Sequence, residues 1–117
     1  MLPRTHLIAC DRVQIQLEKL QIYLEQINPD ITAIALQAEC LETCFQQEIL
    51  ALSDEILAPT IAHQWRVRQT EMNRLLRLLK TDLMFWQLAI KTGKKPKQAE
   101  RIKDYLQKLQ NFCLNPV

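Results

Sequence analysis

The chain has 117 residues, 48% of them hydrophobic and 24% charged, with a formal net charge of +2. That is the composition of a folded domain long enough to bury a core without a metal or disulfide staple, and it excludes wholesale disorder. The single glycine, Gly93, excludes glycine-rich phosphate loops, dinucleotide-binding turns and all-β folds with tight hairpins.

Prolines punctuate the chain. Pro3 can open a first helix, since a proline at the first helical position loses no hydrogen bond. Asn28-Pro29-Asp30 reads as a stop and an immediate restart, with Asn28 as cap, Pro29 in the first position and Asp30 favouring the dipole. Ser53-Asp54-Glu55 and Ala58-Pro59-Thr60 mark the next break. Thr92-Gly93-Lys94-Lys95-Pro96 marks the last, with Gly93 suited to a left-handed cap and Pro96 opening the fourth segment. Four helical segments result, about 4–27, 29–52, 59–91 and 96–113.

Each segment carries one apolar stripe at three-four spacing. The first has Cys10, Val13, Leu17, Leu20, Leu24 and Ile27. The second has Ile31, Ile34, Ala38, Leu41, Phe45, Ile49 and Leu52. The third has Trp65, Met72, Leu76, Leu79, Leu83, Trp86 and Ile90, interrupted by Gln69. The fourth has Ala99, Ile102, Leu106, Leu109 and Cys113. Short connections make neighbours antiparallel, so the expected fold is a single all-α domain over 1–117, an antiparallel four-helix bundle with a long third helix. At 1.5 Å per residue that helix reaches ~50 Å and outreaches the fourth by roughly 20 Å, leaving one end projecting.

The longest apolar run, Leu83 to Ile90, is far too short to span a bilayer. The start, Met1-Leu2-Pro3-Arg4-Thr5-His6, has neither the apolar stretch nor the cleavage site of a signal peptide. Both place the protein in the cytoplasm, where Cys10, Cys40, Cys44 and Cys113 are expected as buried thiols.

No catalytic constellation is expected, and no cofactor or metal. Cys40 and Cys44 are one turn apart, but a structural zinc site needs two further ligands. They read instead as small apolar side chains of a helical core. His6 and His63 belong to no ligand pair and read as helix-end or surface residues. Glu39 and Glu42 lack the Glu-x-x-His partner of di-iron bundles. The reading is of a protein that is not an enzyme.

Three features bear on binding. First, the charge is split. Residues 1–57 carry three basic and nine acidic groups, a net of −6, and residues 58–117 carry twelve basic and four acidic, a net of +8. Arg66, Arg74, Arg77 and Lys80 lie opposite the apolar stripe of the third segment, and Lys91, Lys94, Lys95, Lys97, Arg101, Lys103 and Lys108 continue the charge. This is a solvated face balanced by the acidic half, a docking surface for an acidic protein, or a phosphate-binding surface for nucleic acid. No recognition-helix motif accompanies the last reading. Second, Ile8, Ile15 and Ile22 recur every seven residues opposite the core stripe of the first segment, among Asp11, Arg12, Glu18, Lys19 and Glu25. They form a narrow seam for another helix or chain, or lie singly exposed. Third, Leu83 to Ile90 is apolar nearly all round. It is expected in the core, with exposure of Met84, Phe85 and Leu88 as the alternative if the third helix overhangs.

Gln69-Thr70-Glu71, Asn73, Leu76-Arg77-Leu78-Leu79, Asp82 and Met84-Phe85 resemble the signature of the PatD family, the heterocyst frequency control proteins of filamentous cyanobacteria. The opening Met1-Leu2-Pro3, the Phe45-Gln46-Gln47 followed by Ile49-Leu50, and the proline before the third segment are similar too. The chain departs from the family in its Cys40/Cys44 pair and its Lys94-Lys95-Pro96-Lys97 linker. The resemblance implies a non-enzymatic regulator of how often cells become heterocysts, with the cell-division protein FtsZ as partner. FtsZ-type proteins are acidic, which suits a basic third helix. The resemblance carries over no contact residues; charge and spacing in this chain point to Arg66, Arg74, Arg77, Lys80, Ile8, Ile15 and Ile22 for partner contact. The alternatives are a DNA-binding regulator using the basic third and fourth helices, and a structural homo-oligomer assembled through the three isoleucines.

Overall fold

The computed structural model describes residues 2–94 and 97–116. Among them are four α-helices and no strand: α1 (Arg4–Leu24), α2 (Ile31–Cys44), α3 (Pro59–Lys91) and α4 (Ala99–Leu114). A π-helical segment, Phe45–Leu50, continues α2. Side-chain links between helices run in reverse order. Gln37 bonds Gln16 and Glu48 bonds Arg12; Glu42 meets Lys80 and Ile49 meets Gln69; Arg101 meets Asp82 and Phe112 meets Arg68. Each helix is therefore antiparallel to the next. The bundle is 51 Å long and 19 Å across, and α3 alone, at ~1.5 Å per residue, accounts for that length.

The stripes form the core. Val13, Leu17 and Leu20 of α1 meet Ile34 and Leu41 of α2, with Phe45 and Ile49 of the π segment. Leu75, Leu79, Leu83 and Trp86 of α3 and Ile102, Leu106 and Leu109 of α4 complete it. The polar interruption Gln69 has a use. Its Nε2 donates to the Ile49 carbonyl at 2.9 Å, and the Leu52 N–H reaches the same oxygen at 3.2 Å. Carbonyls at a helix end lack intrahelical donors, and Gln69 supplies one.

Boundaries differ from the sequence expectation at five places. Helix α1 stops at Leu24, and Ile27 is 96% exposed rather than part of the stripe. Pro29 disfavours the helical conformation at its predecessor, which favours ending the helix before Asn28. The cap of α2 is Asp30, not Asn28, and its carboxylate accepts the Ala33 N–H at 3.1 Å. Pro3 is the cap of α1 rather than its first residue. The second segment widens to a π-helix from Phe45 instead of continuing as an α-helix to residue 52. Helix α4 starts at Ala99, and the expected opening at Pro96 lies outside the described residues, as does Lys95.

The end of α3 agrees closely with its sequence. Gly93 has φ of +71°, its N–H reaches the Ile90 carbonyl at 3.2 Å, and the Lys94 N–H reaches Ala89 at 2.8 Å. These two crossed bonds are the Schellman termination that a glycine permits. Among the described residues no helix is long and apolar enough to cross a membrane.

Candidate functional site

The basic face of α3 is exposed but largely engaged. Arg66 pairs with Asp54 of the loop before α3, and Lys80 Nζ lies 3.1 Å from Glu42 of α2. Arg74 grips Glu71 with two bonds, Nε donating to Oε2 at 3.0 Å. That grip holds the Glu71 carboxyl below its ordinary range and the Arg74 guanidinium above its own. Of the four cations named from the sequence, only Arg77 has no ion-pair partner among the described residues. Two acidic groups of the first half thus neutralise two bases of the second. Phosphate binding across this face would have to break those pairs, which weighs against the nucleic-acid alternative.

Arg77 stands beside a patch that the sequence places in the core. Met84, Phe85 and Leu88 are 64%, 54% and 58% exposed. A helix at one corner of a four-helix bundle has neighbours on one side only. Leu83, Trp86 and Ile90 take the inner side, so residues off that line face water. Arg77, Thr81, Met84 and Leu88 succeed each other along one outer line at three-four spacing. Lys91 and Lys94, both exposed, close its end. Beside it, Ala35 and Ala38 of α2 and Leu83, Met84 and Gln87 of α3 line a shallow groove of about 260 Å³.

Ile8, Ile15 and Ile22 lie on the outer face of α1, 39%, 50% and 55% exposed, diagonal in the bundle to α3. The basic face of α3 and this isoleucine line are not brought together.

One expectation about ligand-type residues is overturned. His6 sits at a helix end as expected, in the first turn of α1, and there it is buried. Its Nε2 donates to the Ser53 carbonyl at 3.2 Å, and its Nδ1 accepts from Thr5 Oγ1 at 3.1 Å. The signal was present, because His6, Cys10, Val13 and Leu17 continue the same three-four line. Cys40 is exposed rather than in the core, since it lies off the line of Ala38 and Leu41. Cys44 is half-buried against the core, and Cys10 and Cys113 are buried. His63 is exposed. Among the described residues no three His, Cys, Asp or Glu side chains gather as a metal site.

One buried charge is not apparent from the sequence. Asp82 lies within the α3 stripe and accepts from Arg101 of α4 at 3.0 Å. A concavity of about 730 Å³ opens between α1, α3 and α4. Trp86, Ile102 and Leu106 line it, and the Gln110 amide bonds Gln21 at 2.6 Å beside them. Glu25 at the end of α1 and Lys103 of α4 also line it. Comparison with known protein families, curated sequences and solved structures finds no match.

Proposed function

We propose that the chain is a non-enzymatic cytoplasmic regulator that docks an acidic protein on the outer face of α3. The partner proposed is FtsZ, and the process governed is the frequency of heterocyst differentiation. One observation carries the docking surface: three large apolar side chains, Met84, Phe85 and Leu88, stand in water beside Arg77, Lys91 and Lys94, which have no ion-pair partner among the described residues. Apolar anchors with cations at both ends of their line favour a partner segment with its own apolar residues and acidic groups at its ends, set away from Glu39 and Glu42 of the neighbouring groove. The name of the partner rests on the resemblance of α3 to the PatD signature.

Titration of labelled cyanobacterial FtsZ with the purified chain tests it. Phe85→Asp and Arg77→Glu should each raise the dissociation constant at least about tenfold. Arg74→Glu should do less, because that guanidinium is already held by Glu71. A dissociation constant unmoved by Phe85→Asp removes this face from the account, and absence of binding by the wild-type chain removes FtsZ.

A further inference from the structure

The outer face of α1 carries three parallel lanes, each with a seven-residue repeat. Ile8, Ile15 and Ile22 run down the middle. Asp11, Glu18 and Glu25 run along the side facing α4, and Arg12 and Lys19 along the side facing α2. All eight residues are exposed. Asp11 and Lys19 have no ion-pair partner among the described residues. Glu18 and Glu25 accept only the neutral amides of Gln14 and Gln21. Arg12 alone is engaged, by Glu48 at 3.0 Å.

We infer that this face binds a second copy of the chain, with the two α1 helices parallel and the isoleucines stacked layer on layer. The lanes themselves decide the orientation. If two identical helices pair in parallel about a two-fold along their length, the acidic lane of each lies against the basic lane of the other. Glu18 then meets Lys19 of the second copy, and Asp11 meets Arg12. If they pair antiparallel, the two-fold lies across the helices and sets acid against acid and base against base. Charge complementarity at flanking positions selects partner and direction in this way in helical pairs, and β-branched residues in the seam suit two parallel strands. The contact is one line of half-exposed isoleucines, below the area of a permanent interface, so the dimer forms reversibly. It uses the corner of the bundle diagonal to the α3 patch and is independent of what docks there.

Sedimentation equilibrium of the full chain over a wide concentration range tests the association. The wild type should show a monomer–dimer equilibrium. Ile15→Lys should raise its dissociation constant at least about tenfold, with the thermal unfolding profile unchanged. A chain carrying Asp11→Lys and Glu18→Lys should associate poorly with itself, as should one carrying Arg12→Glu and Lys19→Glu, and mixing them should restore dimers. Direction is read by disulfide trapping in a Cys40→Ser background. Ile8→Cys should cross-link to itself on oxidation, because parallel pairing puts the two position-8 residues together. A monomeric mass at every concentration, or a dimer indifferent to Ile15→Lys, overturns the proposal. Cross-linking only in a mixture of Ile8→Cys and Ile22→Cys chains overturns the parallel arrangement.

Discussion

The imidazole of His6 stands edge-on to the indole of Trp65, with ring centroids 4.8 Å apart and planes at 69°. The contact joins the start of α1 to the first turns of α3, and the His6–Ser53 bond ties both to the loop between the π segment and α3. One side chain thus fastens three parts of the chain at one end of the bundle. His6→Ala should cost about 2–3 kcal/mol, through a lost aromatic contact and an unpaired Ser53 carbonyl. His6→Phe keeps the ring and should lose only about 1 kcal/mol for the hydrogen bond. Chemical denaturation of the three proteins checks the order.

The periodic part of the fold is legible in the sequence. The bounds Pro59–Lys91 of α3, the left-handed Gly93 and most stripe residues agree with the structure, because each obeys a local rule about period or backbone. Other features depend on neighbours that a single line of residues does not specify. Asp82 reads as a gap in an apolar stripe until Arg101 stands beside it, and the π widening at Phe45 has no compositional signal in Phe45-Gln46-Gln47-Glu48. For the candidate surface, Arg66, Arg74 and Lys80 read as free cations in the sequence, yet their partners Asp54, Glu71 and Glu42 include residues far away along the chain. Met84, Phe85 and Leu88 read as core when hydrophobicity is counted all round the helix, and as surface only when they are set side by side with Leu83 and Trp86.

Trp86 lies in the core near the C-terminal end of α1 and the start of α4. Trp86→Ala should cost about 3–5 kcal/mol, the range for removing a large buried aromatic side chain. A melting temperature within a degree or so of wild type would mean that α3 turns another side inward.

Removing Arg101 leaves the Asp82 carboxylate nearly out of water without its cation. Arg101 itself is well exposed, so solvent tempers the penalty, and Arg101→Ala should cost about 1–3 kcal/mol. The exposed Lys108–Asp104 pair on the same helix is the control. Lys108→Ala should change stability by less than about 0.5 kcal/mol. Equal effects from the two substitutions would mean that Asp82 is solvated.

The thiols separate by burial. Burial, helped by the nearby Asp11 charge, pushes Cys10 up from 9.0 to about 11, and burial likewise raises Cys113. A raised thiol favours the folded state while it is protonated, so its contribution is complete below pH 9.0 and is lost as pH rises toward about 11. Thermal unfolding should therefore show stability falling across that interval, and Cys10→Ala should flatten the fall. Thiol titration of the native protein at neutral pH should modify Cys40 first and reach Cys10 and Cys113 only on unfolding.

Phe85 and Leu88 lie off the inward line that Trp86 occupies, and that difference predicts opposite behaviour. Both project into solvent, so the double substitution Phe85→Ser and Leu88→Ser removes little buried surface and should leave stability within about 0.5 kcal/mol of wild type. The same change deletes the apolar anchors of the proposed docking face, so binding to the acidic partner should fall while the helical circular dichroism signal stays constant. Raising salt should weaken the wild-type complex through Arg77, Lys91 and Lys94, which lie within a Debye length of roughly 10 Å of a bound acidic segment. A complex that resists salt yet is lost with Phe85 and Leu88 would assign the affinity to the apolar contacts alone and free the basic rim from any part in it.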